Sequence, residues 1–214
     1  MRCGDCVKAC PTGAMRFDAR EMSVDEALRE IELDEAFYGA DGGVTLSGGE
    51  CMMSPDFSLA VLKACRERGI GTNIETCLYA KPETVDAFCE ATDQILADLK
   101  LIDPVRHKAA TGADNALILE NFRRLAAKKA NLVVRVPLIP GFTADEENIA
   151  GIAAFVCSLN ADFPVELLNF NPMCREKYES LRLPYRFRPD EREIPQETVR
   201  KLKAILTDHG LIAR

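Results

Sequence analysis

The sequence has no apolar run that approaches the ~20 residues of a membrane-spanning helix, so we predict no membrane association. It also lacks an excess of basic residues. Its formal net charge is −7, which argues against a nucleic acid as the main partner. The start of the chain is polar and rich in cysteine, unlike a secretory signal peptide. Together these absences predict a cytoplasmic protein.

Common catalytic arrangements are also missing. The chain has no Walker loop, no dinucleotide-binding fingerprint and no Ser-His-Asp order. Its histidines, His107 and His209, stand near no group of cysteines or carboxylates that suggests a metal triad, and we predict both at the surface. A chain of 214 residues can bury a large core within one domain that carries a small appendage.

The chain contains nine cysteines, an odd number. Cys65 and Cys89 lie in helical apolar patterns, and Cys157 lies near the end of another. Outside the N-terminal cluster we interpret the cysteines as small buried hydrophobes of a protein in a reducing compartment. This group comprises Cys51, Cys65, Cys77, Cys89, Cys157 and Cys174.

The N-terminal cluster has the spacing C-x2-C-x3-C-P, formed by Cys3, Cys6 and Cys10. This is the last part of the ferredoxin run C-x2-C-x2-C-x3-C-P, whose thiolates bind [4Fe–4S] clusters. Zinc is the main alternative, but the trailing Cys-Pro favours iron–sulfur. The first cysteine of the run would precede Met1, so the ligand set is incomplete. We predict that residues 1–20 are a remnant of a ferredoxin-like segment.

Strand and helix patterns alternate along the rest of the chain. A capping box at Ser23 and Glu26 begins the first long helix. Five strands and the helices between them predict an α/β fold with a parallel sheet, an open or partial barrel over residues 21–214. The predicted strands are Val44–Leu46, Gly71–Glu75, Gln94–Asp98, Leu132–Pro137 and Val165–Phe170; the principal helices are Phe57–Arg68, one opening at Pro82, Asn115–Lys129, Glu146–Ser158 and Pro195–His209.

The stretch from Gly42 to Glu50 is a short strand that runs into a glycine turn carrying one carboxylate. Such a turn suits a small cationic or amine-bearing ligand, although a plain turn with a solvated Glu50 is an alternative. Polar residues at the ends of the other strands should converge on the same rim, which predicts a binding site. For Asp98 and Lys100 a self-compensating ion pair is the alternative. The rim residues are Gly48, Gly49, Glu50, Glu75, Thr76, Asp98, Lys100, Arg135, Asn169 and Asn171.

Six segments, in this order, resemble the glycyl-radical-enzyme activating enzymes of the radical S-adenosylmethionine superfamily, in the subgroup with a ferredoxin-like insert. The resemblance runs from Cys3 nearly to the C-terminus. The segments are Cys-Pro-Thr-Gly-Ala (10–14), Gly-Gly-Val-Thr-Leu-Ser-Gly-Gly-Glu (42–50), Ile-Glu-Thr-Cys (74–77), Ala-Asp-Leu-Lys (97–100), Arg-Val-Pro-Leu-Ile-Pro-Gly-Phe-Thr (135–143) and Glu-Lys-Tyr (176–178).

The resemblance implies a partial (β/α)6 barrel that binds S-adenosylmethionine and cleaves it reductively to a 5′-deoxyadenosyl radical. That radical abstracts hydrogen from a glycine of a partner, a glycyl-radical enzyme, and a flavodoxin or ferredoxin-type protein supplies the electron. The resemblance also implies the cofactor-binding residues. Gly48, Gly49 and Glu50 would contact the methionyl amino group, and Glu75 and Thr76 would lie near the methionine carboxylate, where Asp98 helps some members hold a monovalent cation. Lys100 and Arg135 would lie beside the methionine moiety, and Asn171 at the rim.

The sequence departs from the family in three places. The C-x3-C-x2-C that holds the catalytic [4Fe–4S] cluster after the first strand is absent, Asn171 stands where many members have His, and Cys51 stands where Pro is usual. We therefore expect the first barrel strand to be missing, assign no catalytic residue, and expect this chain alone to be inactive. It is either an activase that has lost its N-terminus or a non-catalytic S-adenosylmethionine-binding or protein-interaction module. In the first case about 60–90 upstream codons should encode a strand, the cluster motif and a cysteine immediately before Met1.

Overall fold

In the computed structural model of this protein the described residues are 3–17, 21–40, 42–159, 162–185 and 192–214. The predicted boundary at residue 20 lies outside them. The strands are β1 (Gly43–Leu46), β2 (Gly71–Thr76), β3 (Gln94–Asp98), β4 (Leu132–Leu138) and β5 (Val165–Asn169). The helices are α1 (Asp5–Lys8), α2 (Val24–Leu33), α3 (Glu35–Tyr38), α4 (Pro55–Glu67), α5 (Pro82–Ala91), α6 (Pro104–Thr111), α7 (Ala116–Ala127), α8 (Glu146–Ser158), α9 (Cys174–Ser180) and α10 (Gln196–Asp208), with a 3₁₀ turn at Cys51–Met53.

The strands form one open parallel sheet in the order β1-β2-β3-β4-β5. Neighbouring strands are consecutive in the chain, because each helical crossover returns the chain to the next position in the sheet. The predicted α/β class is confirmed, and each predicted strand agrees with the structure to within one residue at either end. Beyond β5, Ala213 forms an isolated parallel bridge to Val165, which covers part of that outer strand.

The main core lies between the sheet and the helices that connect its strands. Ile95 of β3 and Val133 of β4 are buried within the sheet. Phe122 of α7 is fully buried and meets Phe155 of α8 edge to face, with the ring centroids 6.1 Å apart. Because side chains from several helices share this core, the sheet is held as one rigid support for the loops at its ends.

A smaller cluster attaches the N-terminal helix to α4. Leu28 of α2 packs with Val61 and Cys65 of α4. The predicted capping box fixes where α2 begins: the Glu26 backbone N–H donates to Ser23 Oγ (3.3 Å), and the Ser23 N–H donates to the Glu26 carboxylate (2.7 Å). These reciprocal bonds satisfy donors that the first helical turn leaves open.

Two predictions about burial are wrong. His107 is 4% exposed, because α6 turns it inward, where its Nδ1 lies 2.7 Å from the Ala113 carbonyl oxygen. Cys157 is exposed, because it lies on the outer side of α8, where its thiol donates to the His209 carbonyl at 3.4 Å. His209 is at the surface, as predicted.

None of the described helices combines the length and the apolar character required to span a lipid bilayer.

Candidate functional site

A cavity of about 410 Å³ opens at the carboxyl ends of the strands. The open end of a parallel sheet is where ligands bind in α/β proteins, because loops from several strands meet there. Of the nine residues that we assigned to cofactor binding, the cavity brings together all but Asn171. Its lining consists of Gly48, Gly49, Glu50, Glu75, Thr76, Cys77, Asp98, Lys100, Arg135, Pro137 and Leu168.

The turn after β1 leaves open space on one side of the cavity. Gly48 has a φ of 97°, which a residue with a side chain rarely adopts. A Cβ atom built on Gly48 or Gly49 would meet no other atom within 4 Å. The sequence therefore bends the chain sharply here and leaves the backbone accessible from the cavity.

Glu50 is held firmly at the end of this turn. Its Oε1 accepts hydrogen bonds from the Thr76 hydroxyl (2.7 Å) and the Met52 N–H (3.3 Å), and its Oε2 accepts one from the Cys77 N–H (2.9 Å). All of these donors are neutral. The Cys51 thiol, 3.7 Å from Oε1, is a further neutral donor, so these bonds orient the carboxylate without cancelling its charge. This arrangement differs from the solvated Glu50 that was the alternative.

Two thiols flank Glu50. Burial, followed by the negative charge of Glu50, raises the pKa of Cys51 to about 12, and its thiol donates to the Glu75 carbonyl at 3.4 Å. Burial and a hydrogen bond to Glu50 also raise the pKa of Cys77. Both groups are therefore protonated at neutral pH. Cys77 is not among the predicted site residues, although its position directly after Thr76 at the end of β2 could have indicated it.

The remaining charges of the cavity are paired with one another. Arg135 Nη1 lies 2.6 Å from Glu75 Oε1, and Lys100 Nζ lies 3.4 Å from Asp98 Oδ2. Arg135 Nε also lies 3.4 Å from Glu166 Oε2, without the geometry of a hydrogen bond. Burial raises the pKa of Asp98, and the charges of Lys100 and Arg135 act against that shift.

Two asparagines from the predicted rim do not line the cavity. Asn171 is exposed, and its Oδ1 accepts the Met173 N–H at 3.0 Å. Asn169 Nδ2 donates to the Ile194 carbonyl at 2.9 Å, and Asn169 Oδ1 accepts the Ile194 N–H. Asn169 thereby ties the end of β5 to the segment that precedes α10, and Asn171 closes a local turn.

The N-terminal cysteines lie apart from this cavity. Cys3 and Cys6 are exposed, whereas Cys10 Sγ accepts the Met15 N–H at 3.3 Å and lies 3.6 Å from Thr12 Oγ1. These bonds, with that of Met15 the largest, lower the pKa of Cys10 to about 7. In the part of the chain that the structure describes, no three or more His, Cys, Asp or Glu side chains are arranged to hold a metal ion.

Two further cavities adjoin the strand-end cavity through Lys100. One, of about 190 Å³, includes Cys77, Asp98 and the buried His107. The other, of about 450 Å³, is largely apolar and extends between Phe142 and Leu183. The Lys100 side chain thus lies at a junction from which neighbouring clefts can be reached.

Comparisons with known proteins define the class of protein to which this fold and site belong. The family described as the Radical SAM superfamily matches residues 8–152. A solved domain of the pyruvate-formate lyase-activating enzyme from Bacteroides vulgatus superposes with a TM-score of 0.66 and 35% sequence identity, over 80% of this chain and 97% of that domain. The sheet and its helices are therefore the partial barrel of the radical SAM fold.

The curated relatives narrow this class. The isethionate sulfite-lyase activating enzyme of Nitratidesulfovibrio vulgaris is 37% identical over 95% of this chain, and the (2S)-3-sulfopropanediol sulfolyase activating enzyme of Bilophila wadsworthia is 40% identical over 82%. This chain spans 67% and 68% of the length of those two relatives. The chain belongs to the glycyl-radical-enzyme activating enzyme family, as the sequence resemblance implied.

Proposed function

We propose that this chain binds S-adenosylmethionine in the strand-end cavity, as part of an activating enzyme for a glycyl-radical enzyme. The observation that carries this proposal is the state of Glu50. Its hydrogen-bond donors are neutral, while the other carboxylates of the cavity, Glu75 and Asp98, each face a basic side chain. Among the described ion pairs Glu50 has none, so its charge is available to a cationic ligand.

The cavity residues fit the methionyl part of the cofactor. The α-ammonium group would donate to Glu50, next to the open backbone at Gly48 and Gly49. A charge-assisted hydrogen bond of this kind is worth about 1.5–3 kcal/mol. Lys100 and Arg135 supply the positive charge that a methionine carboxylate requires. Glu75 and Thr76 lie on the same wall, where they position Arg135 and Glu50 respectively.

The residues do not fit a catalytic [4Fe–4S] cluster. The sequence has no C-x3-C-x2-C, and the described part of the chain offers no group of three metal-binding side chains. The proposal for these 214 residues is therefore binding of S-adenosylmethionine and not its cleavage. Cys3, Cys6 and Cys10 remain proposed ligands of a ferredoxin-like site whose ligand set is incomplete here. A non-catalytic S-adenosylmethionine-binding or protein-interaction module is the alternative.

The partners follow from the family. Relatives bear the names of activating enzymes for lyases and decarboxylases. We therefore propose a glycyl-radical enzyme as the protein partner and a flavodoxin or ferredoxin-type protein as the reductant. The net charge of −7 argues against a nucleic acid as a partner.

Calorimetric titration of S-adenosylmethionine into the parent chain and Glu50→Gln tests the binding proposal. The amide keeps the shape but loses the charge, so the expected loss is about 10- to 150-fold in affinity. Glu197→Gln is the matched control, since Glu197 forms an exposed ion pair with Lys201 on α10. Equal affinities of the parent and Glu50→Gln would contradict the proposal.

Anaerobic reconstitution tests the proposal that the chain binds without cleaving. Iron and sulfide are added, the protein is desalted, and both elements are counted. We expect no stable [4Fe–4S] cluster, because too few thiolates are placed to bind one. A cluster that survives desalting in the monomer would overturn this part of the proposal.

A further inference from the structure

We infer that Asn121, a buried residue of α7 outside the cavity, is a positioning residue for Glu50. It acts through the loop between β2 and α5, whose backbone N–H at Cys77 binds the Glu50 carboxylate. The ligand-binding part of the test rests on the proposed function, whereas the ligand-free part does not.

The Asn121 side chain is committed to this loop. It is 0% exposed, and its Nδ2 donates to the carbonyl oxygens of Leu78 and Ala80, each at 2.9 Å. Carbonyls only accept hydrogen bonds, so the amide nitrogen must face them. Its Oδ1 is buried and has no hydrogen-bond partner among the residues that the structure describes. An apolar side chain at this position would leave no buried oxygen without a partner. The two bonds that Asn121 donates therefore explain why the position carries an amide.

The carbonyl held by Asn121 belongs to a strained residue. Leu78 has a φ of 57°, in the left-handed region that side chains with a Cβ disfavour. Leu78 is fully buried, and its N–H donates to Thr76 Oγ1 at 3.0 Å. Such a conformation persists only where the surroundings hold it in place. Asn121 supplies one of these restraints at the Leu78 carbonyl, and Thr76 supplies another at the Leu78 N–H.

The strained turn is connected directly to Glu50. The Thr76 hydroxyl, which accepts the Leu78 N–H, donates to Glu50 Oε1 at 2.7 Å. The neighbouring Cys77 N–H donates to Glu50 Oε2 at 2.9 Å. If Leu78 relaxes toward an ordinary φ, the Cys77–Leu78 peptide must rotate and its N–H leaves Thr76 Oγ1. The Thr76 hydroxyl and Cys77, whose carbonyl belongs to the rotated peptide, then lose their fixed positions, and with them two of the donors that orient Glu50.

The test compares Asn121→Leu with a matched control. Asn121→Leu keeps the approximate size and removes both donors. Thr72→Val is the control, because it removes a buried hydroxyl that donates to Asp93 Oδ2 at 2.8 Å at the other end of β2. Asn121→Ser, whose side chain is too short to reach both carbonyls, serves as a second variant if Asn121→Leu is recovered unfolded.

The first readout is hydrogen exchange of the Cys77 amide without any ligand. The Asn121 variant should exchange this amide about tenfold faster than the parent, at conditions where the core amides of β4 remain protected. Thr72→Val should leave Cys77 exchange within about twofold of the parent. Unchanged Cys77 exchange in the Asn121 variant overturns the inference.

The second readout is a double-mutant cycle on S-adenosylmethionine affinity with Glu50→Gln. We expect Asn121→Leu to weaken binding about fivefold or more in the parent and less than about twofold in the Glu50→Gln background. Equal losses in both backgrounds would show that Asn121 does not act through Glu50. If the parent binds no S-adenosylmethionine, the proposed function fails, and the exchange measurement alone decides this inference.

Discussion

The Thr76 hydroxyl provides the most direct test of how the cavity is held together. Thr76 is 4% exposed, donates to Glu50 at 2.7 Å and accepts the Leu78 N–H at 3.0 Å. Thr76→Val replaces the hydroxyl by a methyl group of similar size, so both bonds are lost with little change in packing. We expect this variant to be destabilised well beyond an ordinary surface change.

The expected loss follows from the two partners. A hydrogen bond to a charged group contributes about 1.5–3 kcal/mol, and a buried donor left without a partner costs about 1–3 kcal/mol. The two contributions overlap, because Glu50 keeps the bonds from Met52 and Cys77. We therefore expect a loss of about 3 kcal/mol in the free energy of unfolding. In a chain of this size that corresponds to a fall of about 6–12 °C in Tm.

Urea unfolding followed by circular dichroism measures this loss, with Thr76→Ser as the control. Serine keeps the hydroxyl and loses only a methyl group, so it should cost no more than about 1 kcal/mol. The comparison is informative only if the m-values of the two variants agree. If Thr76→Val and Thr76→Ser differ by less than about 0.5 kcal/mol, the hydroxyl does not hold Glu50 as argued.

Two further changes test the charge balance and the core. Burial raises the pKa of Asp98 above 3.8, so its protonated form favours folding; its contribution is present below that pH and is lost as the pH rises through the folded-state pKa. The stability of Asp98→Asn relative to the parent should therefore increase as the pH rises above about 4 in urea titrations, and a constant difference would refute this. Phe122→Ala should cost about 3–5 kcal/mol, since the ring is fully buried, and a loss below about 2 kcal/mol would contradict its place in the core.

The sequence predicts the sheet well because each strand is bounded by residues that interrupt regular structure. Gly71 begins β2 after α4, and Pro82 begins α5, so the pattern between them can only be a short strand and a loop. Once five parallel strands follow one another in order, their carboxyl ends must meet at one edge. The positions of Glu50, Asp98 and Arg135 in one cavity follow from that topology.

The predictions that failed concern segments whose direction is set by tertiary contacts. Cys157 lies near the end of an apolar helical pattern, yet its thiol is exposed and donates to the His209 carbonyl. The burial of His107 depends on its bond to Ala113 across a turn, which no periodic pattern encodes. Asn121 carried a usable signal, since it is a polar residue on the same helical face as Phe122 and Leu125, where an unexplained amide indicates a partner elsewhere.

The cavity shows how stability and binding oppose each other in this fold. Pairing Glu50 with a basic residue would lower the energy of the empty protein, yet Arg135 and Lys100 are already engaged with Glu75 and Asp98. Neutral donors orient the Glu50 carboxylate without cancelling its charge. A ligand that carries an ammonium group supplies the missing partner, and at 100 times its Kd it would stabilise the folded chain by about 2.7 kcal/mol. Strain at Leu78 and a buried Asn121 oxygen that no described residue bonds are features that a fold selected for stability alone would not retain, and both lie next to the segment that orients this carboxylate.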